Sequence, residues 1–386
     1  MGINKKMVVL ESYNKHCSRL KDKSLYRTLE YTDNFNCILD FSSNDYLGLS
    51  RHEQVIEHAQ HYARLYGVGG KSSRLLNCER DFYEQIESKV AVSKQKQASL
   101  IFNSGYQANS TVLAAMLDRR ILRGSPLVFT DRLNHASLHH GCKLAGVQQH
   151  RFQHLDMNHL ASLLNVYKNS SRPKFIITES IFSMDGDVAD LQALTTLAEQ
   201  HGAFLYVDEA HATGVLGKDG YGLTPAYGEG VHMTMGTFSK ALGSAGAYVA
   251  CSKLLKDYLV NTCSGFIYST ALSPMLIGAI EAAWNLLPSL DNKRSHLLKL
   301  ANALRKSLND KGFNTGLSST QIVPILLKDV KKTLQAQTFL AQKNIQVAAI
   351  RPPTVPSAGA RLRISLHADH TLENIHTLVE NLQECL

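Results

Sequence analysis

The sequence predicts an α/β protein, with a large domain on a mainly parallel sheet followed by a smaller α+β domain. Three observations predict it. Short apolar runs bounded by polar or glycine residues recur in the first two thirds of the chain, helical patterns separate several of them, and the rhythm changes after Pro274. The chain has 386 residues, more than one compact core absorbs at roughly 100–200 residues per domain.

The elements follow in order. The segment before Asp40 is polar and lacks the apolar core of a signal peptide, so residues 1–45 read as an N-terminal arm. A large domain is expected over 46–280, with strands at 99–102, 127–130, 175–178, 204–207, 233–238 and 247–251, each a short run that suits a buried strand. Helical patterns at 107–117 and 191–200 lie between them. That alternation implies parallel crossovers and collects reactive groups at strand C-termini. After Pro274, helices are expected over 275–287 and 295–308, strands at 321–327, 345–350 and 362–366, and a last helix from Leu372. The smaller domain is placed at 281–386.

Composition narrows the function classes. Apolar residues at 44% and charged residues at 19% exclude disordered, collagenous and repeat chains. No run approaches 18 uninterrupted apolar residues, so no membrane span is expected and a cytoplasmic location is the default. The seven cysteines are odd in number and contain no CxxC, which argues against a disulfide framework or a zinc ribbon. The net charge of +8 is spread without long basic runs and suits small anionic substrates at least as well as nucleic acid.

Two motifs mislead. Gly69-Gly70-Lys71-Ser72 suggests a phosphate loop, but Leu65 stands where the first glycine belongs and no strand precedes it. Asp208-Glu209-Ala210-His211 spells an acidic helicase box, which has no meaning without that loop. A nucleotide-dependent nucleic-acid-binding protein is the different-class alternative these features raise. His135 and His139 lie four apart like a metal pair, yet no third ligand is placed near them, and stacking or polar roles are favoured.

A pyridoxal phosphate site needs a lysine, a carboxylate for the ring nitrogen, a stacking partner and donors for the phosphate and phenolic oxygen. Lys240 follows an apolar strand and precedes the small residues Gly243, Ser244, Ala245 and Gly246, which leave room for a ring. Asp208 closes another strand, where burial without a partner would be costly. His211, three residues on in the same loop, is expected within reach of the phenolic oxygen. The run from Asn103 to Asn109 passes from strand to helix, and Gly105 permits close approach of a phosphate to the helix N-terminus.

From about residue 38 to its end the chain resembles the α-oxoamine synthases, pyridoxal-phosphate enzymes of the aspartate-aminotransferase fold (fold type I). The resemblance rests on Phe41-Ser42-Ser43-Asn44-Asp45-Tyr46-Leu47-Gly48-Leu49, Asn134-His135-Ala136-Ser137, Phe182-Ser183-Met184-Asp185-Gly186-Asp187, Asp208-Glu209-Ala210-His211-Ala212-Thr213-Gly214 and Thr237-Phe238-Ser239-Lys240. Arg351-Pro352-Pro353-Thr354-Val355-Pro356, followed by Arg361-Leu362-Arg363, is similar to the biotin-route members. So is Ile267-Tyr268-Ser269-Thr270.

The resemblance implies that Lys240 bonds to the cofactor aldehyde, His135 stacks on the ring and Asp208 pairs with its nitrogen. Ser183 and His211 would meet the phenolic oxygen side. Gly105, Tyr106 and Thr237 would hold the phosphate, with Thr270 from the neighbouring subunit of a homodimer. Asn44 and Arg351 would meet the amino-acid carboxylate, Thr354 would lie beside the substrate and Arg27 would contact it. The implied reaction is a decarboxylating condensation of L-alanine with pimeloyl-CoA or a pimeloyl carrier protein, with no nucleic-acid partner. Glycine-dependent synthases or ligases and synthases of longer α-aminoketones share the chemistry. Cys78 and Tyr83 depart from the family, which shows a glycine and a histidine there, and this leaves the acyl-chain end open.

Overall fold

The computed structural model describes residues 5–29, 39–76, 81–356 and 358–386. The chain opens with helix α1 (Lys5–Asp22), whose Val9, Leu10 and Tyr13 are exposed. The polar composition of the arm hides this helix, because it has no buried apolar stripe to mark it. A short strand β1 (Leu39–Asp40), helix α2 (Glu53–Tyr66) and helix α3 (Asp81–Ser93) follow.

The large sheet is threaded as β2 (Ala98–Phe102), α4 (Gly105–Met116), β3 (Leu127–Asp131), α5 (Ala136–Leu144), β4 (Gln149–Phe152), α6 (Met157–Val166), β5 (Lys174–Glu179), α7 (Leu191–His201), β6 (Ala203–Asp208), β7 (Met233–Thr237) and β8 (Ala247–Cys251). Its spatial order is β2-β8-β7-β6-β5-β3-β4. Strands β3 to β7 are mutually parallel, and β8 runs antiparallel to both β7 and β2.

Both faces of the sheet are covered, which is why its strands read as unbroken apolar runs. Val128 and Ile177 pack on one face with Val112 and Leu138 of α4 and α5, while Leu127, Phe129 and Ile176 pack on the other with Leu160 and Leu194 of α6 and α7. Strand β4, absent from the sequence expectation, is an edge strand with only Phe152 buried. Its Gln-His-Arg start carries no apolar signal.

The chain continues through α8 (Lys253–Thr262), α9 (Ser264–Ile267), α10 (Pro274–Leu286), α11 (Asp291–Asp310), β9 (Ile322–Leu326), α12 (Val330–Gln342), β10 (Ile345–Gln346), β11 (Ala348–Ile350), β12 (Arg361–Ser365) and α13 (Leu372–Cys385). Pro274 opens α10, where its missing N–H costs nothing. Strands β11, β12 and β9 form a three-stranded antiparallel sheet. The single strand expected over 345–350 is divided, since β10 pairs with β1 and β11 with β12. Beside that small sheet, Ser365 N–H donates to the Phe41 carbonyl at 2.7 Å and Ala368 N–H to the Tyr46 carbonyl at 2.8 Å. These bonds carry the 41–46 segment past β12 to the edge of the large sheet. Among the described residues no helix is long and apolar enough to cross a membrane.

Candidate active site

The C-terminal ends of β2, β5, β6 and β7, with the loop after β3, surround a cavity of about 240 Å³ whose walls include Tyr106, His135, Glu179, Asp208, His211 and Lys240. This is the edge at which parallel strands present their loops. A larger hollow of about 810 Å³ beside Gln192 and Tyr227 is lined by no lysine, so size alone does not locate the chemistry.

Lys240 is placed by a tight return. After β7, Phe238 N–H donates to the Gly246 carbonyl at 3.0 Å, Ser244 N–H to the Phe238 carbonyl at 2.9 Å, and Gly243 N–H to the Lys240 carbonyl at 2.8 Å. The Thr237 hydroxyl closes the loop by donating to the Gly246 carbonyl at 2.9 Å. The lysine Nζ then lies 2.7 Å from His211 Nε2. Burial lowers its pKa to about 8, against the pull of Asp208 and Glu179. Burial and the nearby Lys240 charge push His211 well below its ordinary value, so its ring is neutral.

Asp208 ends β6 at 4% exposure. One carboxylate oxygen accepts from Asn109 Nδ2 and the other from Ala210 N–H, each at 2.8 Å. Glu179 ends β5 directly beside it in register. Burial and the Asp208 charge raise Glu179 well above the usual carboxylate range, and it accepts the His135 N–H. The next residue of the acidic tetrad points away from the cavity: Glu209 forms a fully buried ion pair with Lys94 at 2.5 Å and accepts Thr224 N–H at 2.9 Å. Asp208 and Glu209 therefore divide between the cavity and the core.

His135 caps α5, its Nδ1 accepting Ser137 N–H at 3.3 Å with the Ser137 hydroxyl 2.7 Å away. Asn109 Nδ2 donates to that hydroxyl at 2.9 Å, and Tyr206 donates to Asn109 Oδ1 at 2.7 Å. This chain orients the imidazole and leaves Nε2 to carry the proton of a neutral ring. Burial, opposed by Asp208, holds the His135 pKa low. His139 instead meets Gln149 Oε1 at 2.6 Å, so the two histidines have separate roles.

The residues present fit a pyridoxal phosphate. Asp208 is buried without an ion pair within 4 Å among the described residues, which suits a protonated ring nitrogen. Helix α4 brings its first amides, of Gly105 and Tyr106, to the cavity wall, where they have no partner within the helix. A Cβ built on Gly105 would meet nothing closer than 3.8 Å, so the surrounding protein does not itself demand glycine there. A phosphate approaching the backbone would.

Of the residues expected from sequence, the cavity brings together Gly105, Tyr106, His135, Asp208, His211, Thr237 and Lys240. Asn44 and Ser183 stand behind it, joined by Arg363, which donates to Asn44 Oδ1 at 3.1 Å and to the Ser183 carbonyl at 2.6 Å. Arg27, Arg351 and Thr354 form a separate cluster: Arg27 reaches Thr354 Oγ1 at 3.4 Å and Arg351 reaches the Tyr26 carbonyl at 2.9 Å. Thr270 is exposed and lies outside this chain's own cavity, bridged to Ser73. Cys78 lies outside the described residues. Tyr83 is 1% exposed and donates to the Leu272 carbonyl, under the Arg74 guanidinium at 4.2 Å. Gly70 presses on the Ala271 carbonyl, where a Cβ would come within 1.9 Å, and the turn it belongs to follows a helix instead of a strand. It has no phosphate-loop frame.

Sequence reasoning passed over Glu179, Asn109, Tyr46 and Arg363 as site residues. Glu179 had a readable signal, a charge ending an apolar strand. Asn109 lies one turn beyond Gly105 in α4 and lines the cavity itself, whereas Tyr46 and Arg363 meet the site only through long-range packing.

A model of the aminotransferase class I and II family matches residues 37–382. An 8-amino-7-oxononanoate synthase of Gluconacetobacter diazotrophicus is 50% identical over 349 residues, covering 90% of this chain and 87% of that protein. The solved structure of a Francisella tularensis 8-amino-7-oxononanoate synthase superposes with a TM-score of 0.76 at 27% identity, over 90% of this chain and 97% of that one. A serine palmitoyltransferase from S. paucimobilis shares the fold, with a TM-score of 0.88 at 24% identity over 98% of each chain.

Proposed function

Since the chain belongs to the aminotransferase class I and II family, on the α-oxoamine synthase branch with relatives named 8-amino-7-oxononanoate synthase, we propose that it condenses L-alanine with a pimeloyl thioester. The products are 8-amino-7-oxononanoate, carbon dioxide and the free thiol, the biotin-route reaction. The observation that carries this reading is the convergence of Lys240, Asp208, His211 and His135 on one cavity.

Bound pyridoxal phosphate supplies an electron sink for charge developing at the α-carbon of the amino acid. Asp208 would pair with the ring nitrogen and keep its proton in place. Lys240 would be the residue that holds the cofactor covalently, and its amine, held near 8, would suit a general base for the α-proton. His135 would stack on the ring, and its Nε2–H would be free to donate to a thioester oxygen gaining charge. His211 meets the phenolic oxygen, with Ser183 behind it. Gly105, Tyr106 and Thr237 hold the phosphate, joined by Thr270 of a neighbouring copy in a homodimer. Asn44 and Arg351 receive the amino-acid carboxylate, and Arg27 and Thr354 lie on the substrate side.

Incubating the protein with pyridoxal phosphate, alanine and either pimeloyl-CoA or a pimeloyl carrier protein, with mass detection, tests the proposal. The expected product is 8-amino-7-oxononanoate with alanine and not with glycine or serine, and the more active thioester identifies the carrier. Turnover with glycine or serine alone, or with only longer acyl thioesters, contradicts it.

A further inference from the structure

We infer that Tyr46 is a positioning residue: by turning its hydroxyl between two acceptors it lets His211 move its ring proton from Nδ1 to Nε2 as Lys240 loses its charge, and holds the second form. The inference deepens the proposed function and rests on Lys240 as the cofactor-bearing lysine. Tyr46 is fully buried, and its Oη lies 2.6 Å from His211 Nδ1 and 3.1 Å from Asn44 Oδ1. The other ring nitrogen, Nε2, lies 2.7 Å from Lys240 Nζ. Arg363 donates to Asn44 Oδ1 at 3.1 Å and to Tyr46 Oη at 3.4 Å. A guanidinium only donates, so it marks the Asn44 atom as oxygen and leaves the tyrosine hydrogen to choose between asparagine and histidine.

Two arrangements satisfy Lys240, His211, Tyr46 and Asn44, while Gln321, which also faces the tyrosine oxygen, keeps a buried Oε1 without a hydrogen-bond partner among the described residues. With Lys240 an ammonium, the lysine donates to a bare Nε2, Nδ1–H donates to Tyr46, and Tyr46 donates to Asn44. With Lys240 neutral, Nε2–H donates to the amine and the tyrosine hydroxyl turns to donate to Nδ1. Passing from the first to the second releases one proton to solvent and leaves the imidazole neutral in both. The second arrangement is also the one in which Nε2 can donate to an anionic oxygen once the lysine is engaged elsewhere.

The charges facing these groups come from several elements. His211 faces Lys240, Arg363 and His135, all of which disfavour an imidazolium. Lys240 faces Asp208 and Glu179, which raise it, and Arg363, which lowers it further.

The test uses cofactor-free protein labelled with ¹⁵N in its histidines, reading the ring-nitrogen shifts of His211 as pH is raised through the Lys240 midpoint. Wild type is expected to pass from the Nδ1–H to the Nε2–H form at that midpoint. Asn44→Ala removes the competing acceptor, which extends the Nε2–H form to lower pH and lowers the midpoint by about half a unit to one unit, the size of one net hydrogen bond. Tyr46→Phe removes the donor that fixes the Nε2–H form, so the Nδ1–H form persists below the midpoint, where the Lys240 ammonium holds it, and the shifts above the midpoint are averaged between the two tautomers. A single tautomer across the range in wild type overturns the inference, as does wild-type behaviour in Asn44→Ala, which stands as the test if Tyr46→Phe does not fold. These readings need no turnover, so their failure is distinct from failure to form 8-amino-7-oxononanoate.

Discussion

An exposed lysine is almost wholly protonated at neutral pH, whereas burial holds Lys240 at about 8 and keeps a usable fraction as free amine. The rate at which cofactor-free protein captures pyridoxal phosphate, followed by absorbance, should rise with pH and level off above about 8. Lys240→Ala should capture none covalently. Asp208 acts differently, because its carboxylate is buried, hydrogen-bonded and without an ion pair among the described residues, and so is poised for a cationic ring. Asp208→Asn should still bind the cofactor and lose on the order of 10²–10³ in kcat, the usual scale of a preorganised electrostatic contact. A kcat within a few-fold of wild type would remove Asp208 from the chemistry.

Elements are held in place through the loops that join them. The loop after β5 carries Ser183 and is clasped by His154, whose ring nitrogens lie 3.0 Å from Asp131 at the end of β3 and 2.9 Å from Asp187. Although burial opposes it, hydrogen bonds to Asp131 and Asp187 raise His154 to about 9. Its folded value exceeds the unfolded value of about 6.5, so this stabilisation is complete below that pH and fades as pH rises toward 9. His154→Gln should cost up to about 3 kcal/mol near pH 6 and little above pH 9, measured by urea unfolding. A cost independent of pH would contradict the clasp.

Legibility at this scale follows burial. Strands β2, β3, β5, β6, β7 and β8 were readable because both their faces are covered. Edge strand β4 and exposed helix α1 were not, since solvent on one side erases the apolar pattern. Lys240, Asp208 and His211 could be found at strand ends from local context alone. Tyr46 reaches His211 from 165 positions away and Arg363 reaches Tyr46 from 317, and nothing in their own neighbourhoods marks those meetings.

At the scale of the molecule, the C-terminal strands and the 41–46 segment are brought against the end of the large sheet, so the groups proposed for substrate and those proposed for cofactor come from distant parts of one chain. Thr270, exposed beside an 84%-exposed Tyr268, is proposed to complete the cavity of a second copy. Sedimentation should give the mass of two chains, and Thr270→Val should weaken cofactor binding about tenfold, the loss expected for one charge-assisted hydrogen bond. An unchanged affinity would assign the phosphate to one chain alone.

The most direct measurement is borohydride reduction of the protein loaded with pyridoxal phosphate, followed by peptide mass mapping. The phosphopyridoxyl mass is predicted on the peptide containing Lys240 and on no other. Its appearance at a different lysine, or its absence, would contradict the assignment of the cavity between Asp208 and His135 as the catalytic centre.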